Sequence, residues 1–116
     1  MNTTLNYSPN FNVKKRRVKQ IKFVIFHYTG MRRENDAIKK LTSKKSKVSC
    51  HYLINRKGLI TQLVMENKVA WHAGKSKWKK FNNLNLNSIG IELVNKGHQW
   101  GYENFSNLQI KTLINL

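Results

Sequence analysis

The sequence predicts a single α/β domain, and three observations predict it. The length of 116 residues fits one compact domain. Four short runs are rich in β-branched and aromatic residues, and two other segments carry apolar residues at helical spacing. Hydrophobic content of 40% with three Trp supplies a core and excludes a disordered chain. The strongest apolar run, Ile21–Phe26, is broken by Lys22 and falls far short of the ~20 residues a membrane span needs. The opening Met1-Asn2-Thr3-Thr4-Leu5-Asn6 lacks the charged-then-apolar order of a secretory signal.

Residues 1–19 are polar and basic, hold the lone proline, Pro9, and predict an extended arm ahead of the core. Gln20–His27 is apolar on both faces, the pattern of a central strand, and it ends in a histidine. After the turn Tyr28-Thr29-Gly30, Ala37, Ile38 and Leu41 recur at helical spacing within Glu34–Leu41. Glu34 and Asp36 near its start, with Lys39 and Lys40 near its end, suit the helix dipole.

Val48–Asn55 and Leu59–Val64 read as strands of a hairpin turned by Arg56-Lys57-Gly58, where glycine suits a positive φ. Val69–Gly74 is strand or loop, and the Asn-rich stretch 75–87 reads as a long loop. Ser88–Asn95 is again a strand, apolar except for Glu92, and the aromatic-rich stretch Gly97–Phe105 is loop. Ser106 and Gln109 form a capping box for a mostly apolar last helix, which carries no C-capping glycine and no basic last turn.

Twenty-two basic against five acidic residues give a net charge of +17. Such a charge admits a nucleic-acid partner, because Lys and Arg neutralise phosphates. The basic residues are scattered, however, through segments 13–19, 39–47 and 75–80, as a solvated basic surface has them. The single cysteine, Cys50, excludes an intramolecular disulfide and a Cys-rich zinc finger.

The four histidines differ in context. His27, at the end of an apolar strand, stands where an open α/β sheet presents side chains to ligands; a hydrogen-bonded core histidine fits the same local pattern. His51 follows Cys50 on a strand, so the two point to opposite faces and make no joint metal site; Cys50 reads as a small buried apolar residue. His72 lies among the small residues of Ala70-Trp71-His72-Ala73-Gly74, which allow close approach of a ligand, and His98 sits in the aromatic loop. Glu92 is the sharper signal, since a carboxylate in a buried strand is unfavourable by several kcal/mol (order of magnitude) unless it is paired or bound to a metal. A general base fits that position, and so does an edge strand with one wet face.

Four stretches in order resemble the zinc-dependent N-acetylmuramoyl-L-alanine amidases, the family shared by phage lysozyme-type amidases and animal peptidoglycan recognition proteins. They are Val24-Ile25-Phe26-His27-Tyr28-Thr29; Val48-Ser49-Cys50-His51-Tyr52-Leu53-Ile54 with Gly58-Leu59-Ile60; Ala70-Trp71-His72-Ala73-Gly74; and Asn87-Ser88-Ile89-Gly90-Ile91-Glu92-Leu93. The tail Gly97-His98-Gln99-Trp100-Gly101-Tyr102 is similar to the branch that trims cell-wall fragments. The resemblance runs from about Ile21 onward, making 20–116 the N-terminal portion of one amidase domain. It implies a central mixed β-sheet flanked by helices. It implies hydrolysis of the amide between N-acetylmuramic acid and the L-alanine of the stem peptide. Zinc is the implied cofactor, His27 its first ligand, Glu92 the catalytic carboxylate, and Trp71 and His72 the wall of the substrate groove. Some relatives carry a catalytic Tyr where Cys50 stands; this chain follows the pattern that relies on the Glu.

The family supplies a second His, an Asp or Cys, and often a catalytic Lys from a segment after the last helix. The expectation is therefore a domain incomplete at its C-terminus, with the remaining zinc ligands beyond Leu116. The implied partners are peptidoglycan or muropeptide fragments. A muropeptide-binding module without catalysis and a basic nucleic-acid binder are the alternatives. Cytoplasm is the default compartment without a visible signal, and the cell envelope or exterior is the alternative that a cell-wall substrate suggests.

Overall fold

The computed structural model describes residues 3–116. Five strands form one mixed sheet: β1 (Thr3–Leu5), β2 (Phe23–Tyr28), β3 (Tyr52–Ile54), β4 (Ile60–Gln62) and β7 (Ser88–Leu93), in the order β1-β4-β3-β7-β2. Within this sheet, among the described residues, the β3–β4 hairpin is antiparallel, whereas β1–β4, β3–β7 and β7–β2 are parallel. Gly58 closes the hairpin at φ +81°, the conformation its position predicts. Two helices, α1 (Glu34–Thr42) and α2 (Asn107–Asn115), complete the architecture.

Period-two alternation sorts the sheet into two apolar faces. Leu53, Cys50, Leu63 and Val94 pack with Leu41 of α1 on one side. Ile54, Ile60, Ile89, Ile91 and Leu93 pack on the other side, where Leu113 of α2 meets them. The intervening residues of β7, Ser88, Gly90 and Glu92, therefore belong to the α1 side. This interleaving makes β7 the spine of the domain.

Helix α2 starts as its sequence predicts. Ser106 Oγ accepts from Gln109 N at 3.1 Å, and Gln109 Oε1 accepts from Ser106 N at 3.0 Å. Gln109 is fully buried, and its Nε2 donates to the Val94 and Ile54 carbonyls at 2.8 and 3.2 Å. One side chain thus caps the helix and ties it to two strand ends, which explains a buried amide on an otherwise apolar face. In α1, Glu34 and Asp36 occupy the first turn and Lys39 and Lys40 the last.

Three expectations need correction. Of the segment 1–19, Met1 and Asn2 lie outside the described residues; the rest is not an arm outside the core, and it ends in a 3₁₀ turn, Val18–Gln20. β1 extends the sheet by pairing with β4, and Ser8, Asn10 and Arg16 are buried. Ser8 Oγ donates to Leu41 O, Asn10 Nδ2 to Ser43 O and Val48 O, and Arg16 to the carbonyls of Glu66, Asn85 and Leu86. The polar residues satisfy backbone groups that would otherwise be stranded, so this belt is polar because of its role.

Second, β2 is an edge strand among the described residues rather than a central one; Val24, Phe26 and Tyr28 are about half exposed while Phe23, Ile25 and His27 turn inward. Third, the stretch 75–87 holds a short hairpin, β5 (Lys77–Trp78) with β6 (Phe81–Asn82), and a 3₁₀ turn, Leu84–Asn87. Val69–Gly74 resolves to loop with one isolated bridge, Phe11 to Ala70. No helix among the described residues is long and apolar enough to cross a membrane.

Candidate active site

Because β2 and β7 run parallel, their carboxyl ends lie side by side, and His27 and Glu92 stand opposite each other in the register. That is the end of an open sheet where ligands bind. β7 lies between β3 and β2, which removes the edge-strand explanation for Glu92. Its Oε2 is buried without a hydrogen-bond partner. Burial pushes the Glu92 pKa up to about 7, with the Lys40 charge acting in the opposite direction.

A cavity of about 110 Å³ opens at the carboxylate, lined among others by Thr29, Lys40, Ser49, Trp71, His72 and Glu92. Beside it runs a wider groove of about 490 Å³ whose lining includes Lys47, Trp71, His72, Lys75 and Asn85. Trp71 and His72 belong to both. Trp71 is fixed by its indole N–H donating to Asn12 Oδ1 at 2.7 Å and its backbone N–H donating to Ser49 Oγ at 2.9 Å.

His72 sits beneath His27. Its Nδ1 is 3.0 Å from His27 Nε2, and its Nε2 is 3.0 Å from Ser88 Oγ. Asn85 Oδ1 accepts from the backbone N–H groups of His72 and Ala73, anchoring the loop. Burial, then the neighbouring His27, His51 and Arg16, pulls the His72 pKa down to about 3; burial also lowers that of His27. Gly90 makes the seat of this ring, since an ideal Cβ there would lie 2.4 Å from His72 Cγ. Gly90→Ala is therefore expected to displace the His72 ring and lower stability by about 1–3 kcal/mol. Urea denaturation measures this, and a stability matching the wild type would show that the ring does not rest on Gly90.

His51 is fully buried and serves the scaffold. Gly90 N–H donates to its Nδ1 at 3.0 Å, so its proton is on Nε2 and donates to Lys68 O at 2.9 Å. The Arg16 Nη2 at 3.2 Å from Nε2 is then one donor facing another, a contact and not a hydrogen bond. Burial, with the Arg16 charge adding to it, brings the His51 pKa down to about 4. Cys50 is buried with its thiol donating to Tyr52 O, and burial and the Glu92 charge push its pKa up, leaving it inert. His98 is exposed on a 3₁₀ turn, His98–Trp100, and lines a separate cavity with Tyr28 and Lys40.

The sequence reading missed Ser88 and Arg16. Ser88 was within reach: it is polar, opens an apolar strand, and shares the face of Gly90 and Glu92 at even spacing. Among the described residues, no group of three or more His, Cys, Asp or Glu side chains converges as a metal site.

The profile of the N-acetylmuramoyl-L-alanine amidase family matches residues 17–116. The chain is 40% identical over 109 residues to the N-acetylmuramoyl-L-alanine amidase AmiD of Escherichia coli, covering 84% of this chain and 38% of AmiD. A structure of AmiD in complex with the substrate anhydro-N-acetylmuramic acid-L-Ala-D-gamma-Glu-L-Lys superposes with TM-score 0.75 at 39% identity, over 83% of this chain and 41% of that one. AmpDH3 from Pseudomonas aeruginosa, in complex with anhydromuramic pentapeptide, superposes with TM-score 0.75 at 31% identity, over 90% of this chain and 47% of that one. The chain thus spans less than half the length of these relatives.

Proposed function

The chain belongs to the N-acetylmuramoyl-L-alanine amidase family, and on that premise we propose that it acts on muropeptides. The reaction is hydrolysis of the amide between the lactyl group of N-acetylmuramic acid and the L-alanine of the stem peptide. The observation that carries this reading is the pairing of His27 and Glu92 at the carboxyl ends of adjacent parallel strands, beside an open groove.

Amide hydrolysis needs a base for the attacking water and an acid for the leaving amine. Glu92, with a pKa raised to about 7, exchanges a proton near neutrality and is suited to both tasks in turn. Its buried, unpartnered Oε2 is an acceptor without a proton donor of its own, which supports the assignment. Trp71 offers an apolar wall to the glycan or peptide, while Lys47 and Lys75 give the groove a charge that suits the carboxylates of a stem peptide.

The family's metal is zinc, and His27 is the ligand we assign in this chain. Its Nε2 is engaged by His72, and its Nδ1 has no partner among the described residues, so one ring nitrogen is open to a metal. A catalytic zinc takes three protein ligands and keeps one open position. The residues described here fit one of those three positions. When bound, zinc supplies Lewis acidity toward the amide carbonyl and the attacking water.

The test is to incubate the protein with an N-acetylmuramyl tripeptide and Zn²⁺, and to follow the products by mass spectrometry. Release of the free tripeptide, abolished by a chelator, is the expected result for the protein with all three zinc positions filled. A second reading is muropeptide binding without cleavage, in the groove that Trp71, Lys47 and Lys75 line. Calorimetric binding with no cleavage at any Zn²⁺ concentration would select it, and absence of both would overturn the two readings together.

A further inference from the structure

Behind His27 stands a chain of hydrogen bonds whose donor order is forced by its far end. Ser88 Oγ lies 2.6 Å from Leu84 O and 3.0 Å from His72 Nε2. A carbonyl only accepts, so the single hydroxyl proton goes to Leu84. The serine oxygen must then accept from His72, which places the His72 proton on Nε2 and leaves its Nδ1 bare. His27 Nε2, 3.0 Å from that bare nitrogen, must in turn be the donor. For neutral rings, no other arrangement satisfies all three contacts.

The chain is built into the fold. Ser88 is fully buried, Gly90 leaves the room that the His72 ring fills, and Asn85 holds the His72 backbone. A groove wall needs none of these restraints. We propose that Ser88 and His72 are positioning residues, which together fix the proton of His27 on Nε2 and present its bare Nδ1 to the site. The proposal rests on the reading of His27 as the metal ligand. It gives His72 a task at the base of the site, in addition to its edge in the groove. Outer partners of this kind set the tautomer and orientation of a ligating imidazole, and their loss weakens metal binding about 10–100-fold.

The experiment is long-range ¹H–¹⁵N correlation NMR on the histidine-labelled, metal-free protein. His27 and His72 are both expected to carry the proton on Nε2. Ser88→Ala removes the acceptor for His72 and should turn His27 into a mixture of tautomers. If that variant fails to fold, the His72 pair decides. His72→Asn, whose Oδ1 replaces Nδ1 as acceptor, should keep His27 on Nε2–H, and His72→Phe should release it. Zn²⁺ added to the wild type should shift His27 Nδ1 and leave Nε2 protonated, and Ser88→Ala should weaken that binding at least about tenfold. A proton on His27 Nδ1 in the wild type, or a His27 tautomer unaffected by His72→Phe, would overturn the proposal. Zn²⁺ that moves neither nitrogen of a correctly protonated His27 would overturn the ligand reading, and with it the purpose assigned to the chain. That failure is distinct from the first.

Discussion

Glu92→Gln is expected to lower kcat on a muramyl peptide by about 10²–10⁴-fold while KM changes by no more than a few-fold. Gln keeps the size and one acceptor oxygen of Glu but cannot take up a proton near neutrality. The groove proposed for the substrate is lined by Trp71, Lys47 and Lys75 and not by Glu92, so binding should survive the change. The folded state should survive it too, because the carboxylate's Oε2 has no hydrogen-bond partner to lose. Steady-state kinetics with Zn²⁺ present are the measurement. A kcat within a few-fold of wild type would make Glu92 a structural residue, and equal losses of stability and activity would point the same way.

Glu92 and His27 could be found in the sequence because each breaks a pattern: an acid inside an apolar strand, and an imidazole at the end of another. Helix α1 was legible from its charge order, and the start of α2 from the Ser106–Gln109 spacing. These are local signals, carried by residues a few positions apart. The belt of residues 3–16 was illegible for the opposite reason. Ser8, Asn10 and Arg16 find their partners more than thirty positions away, and their polarity imitates that of a solvated arm. The edge position of β2 also escaped, since strand order is a tertiary property and Gln20–His27 is apolar on both faces. The scaffold role of His51 also escaped, because only its contacts with Gly90 and Lys68 reveal it.

Acid should destabilise the metal-free protein with a bend that Glu92 controls. His51 and His72 are held neutral, with pKa values near 4 and 3 against an ordinary value of 6.5. The unfolded chain therefore binds more protons at both positions, and the stability they contribute, present above about pH 6.5, is lost as pH falls through that range. For His51 the structural reason is direct: a second proton would sit on Nδ1, against the Gly90 N–H, with Arg16 close by. Glu92 acts with the opposite sign. Its pKa near 7, against an ordinary 4.5, means that the folded chain binds its proton first, so it adds stability as pH falls from 7 toward 4.5. Between about pH 6.5 and 4.5 these three groups together should thus give a net deficit of about one proton, roughly 1 kcal/mol per pH unit, to which the lowered pKa of His27 adds in the same direction. Below 4.5 the deficit is about two, until His51 itself protonates near 4. Glu92→Gln removes the counterweight, so its loss between pH 6.5 and 4.5 should be steeper than that of the wild type by about one proton, roughly 1 kcal/mol per pH unit. Urea midpoints measured every half unit from pH 8 to 4, with chelator present, read both slopes. Parallel curves for the two proteins would mean that the Glu92 carboxyl titrates in the folded chain as it does in the unfolded one.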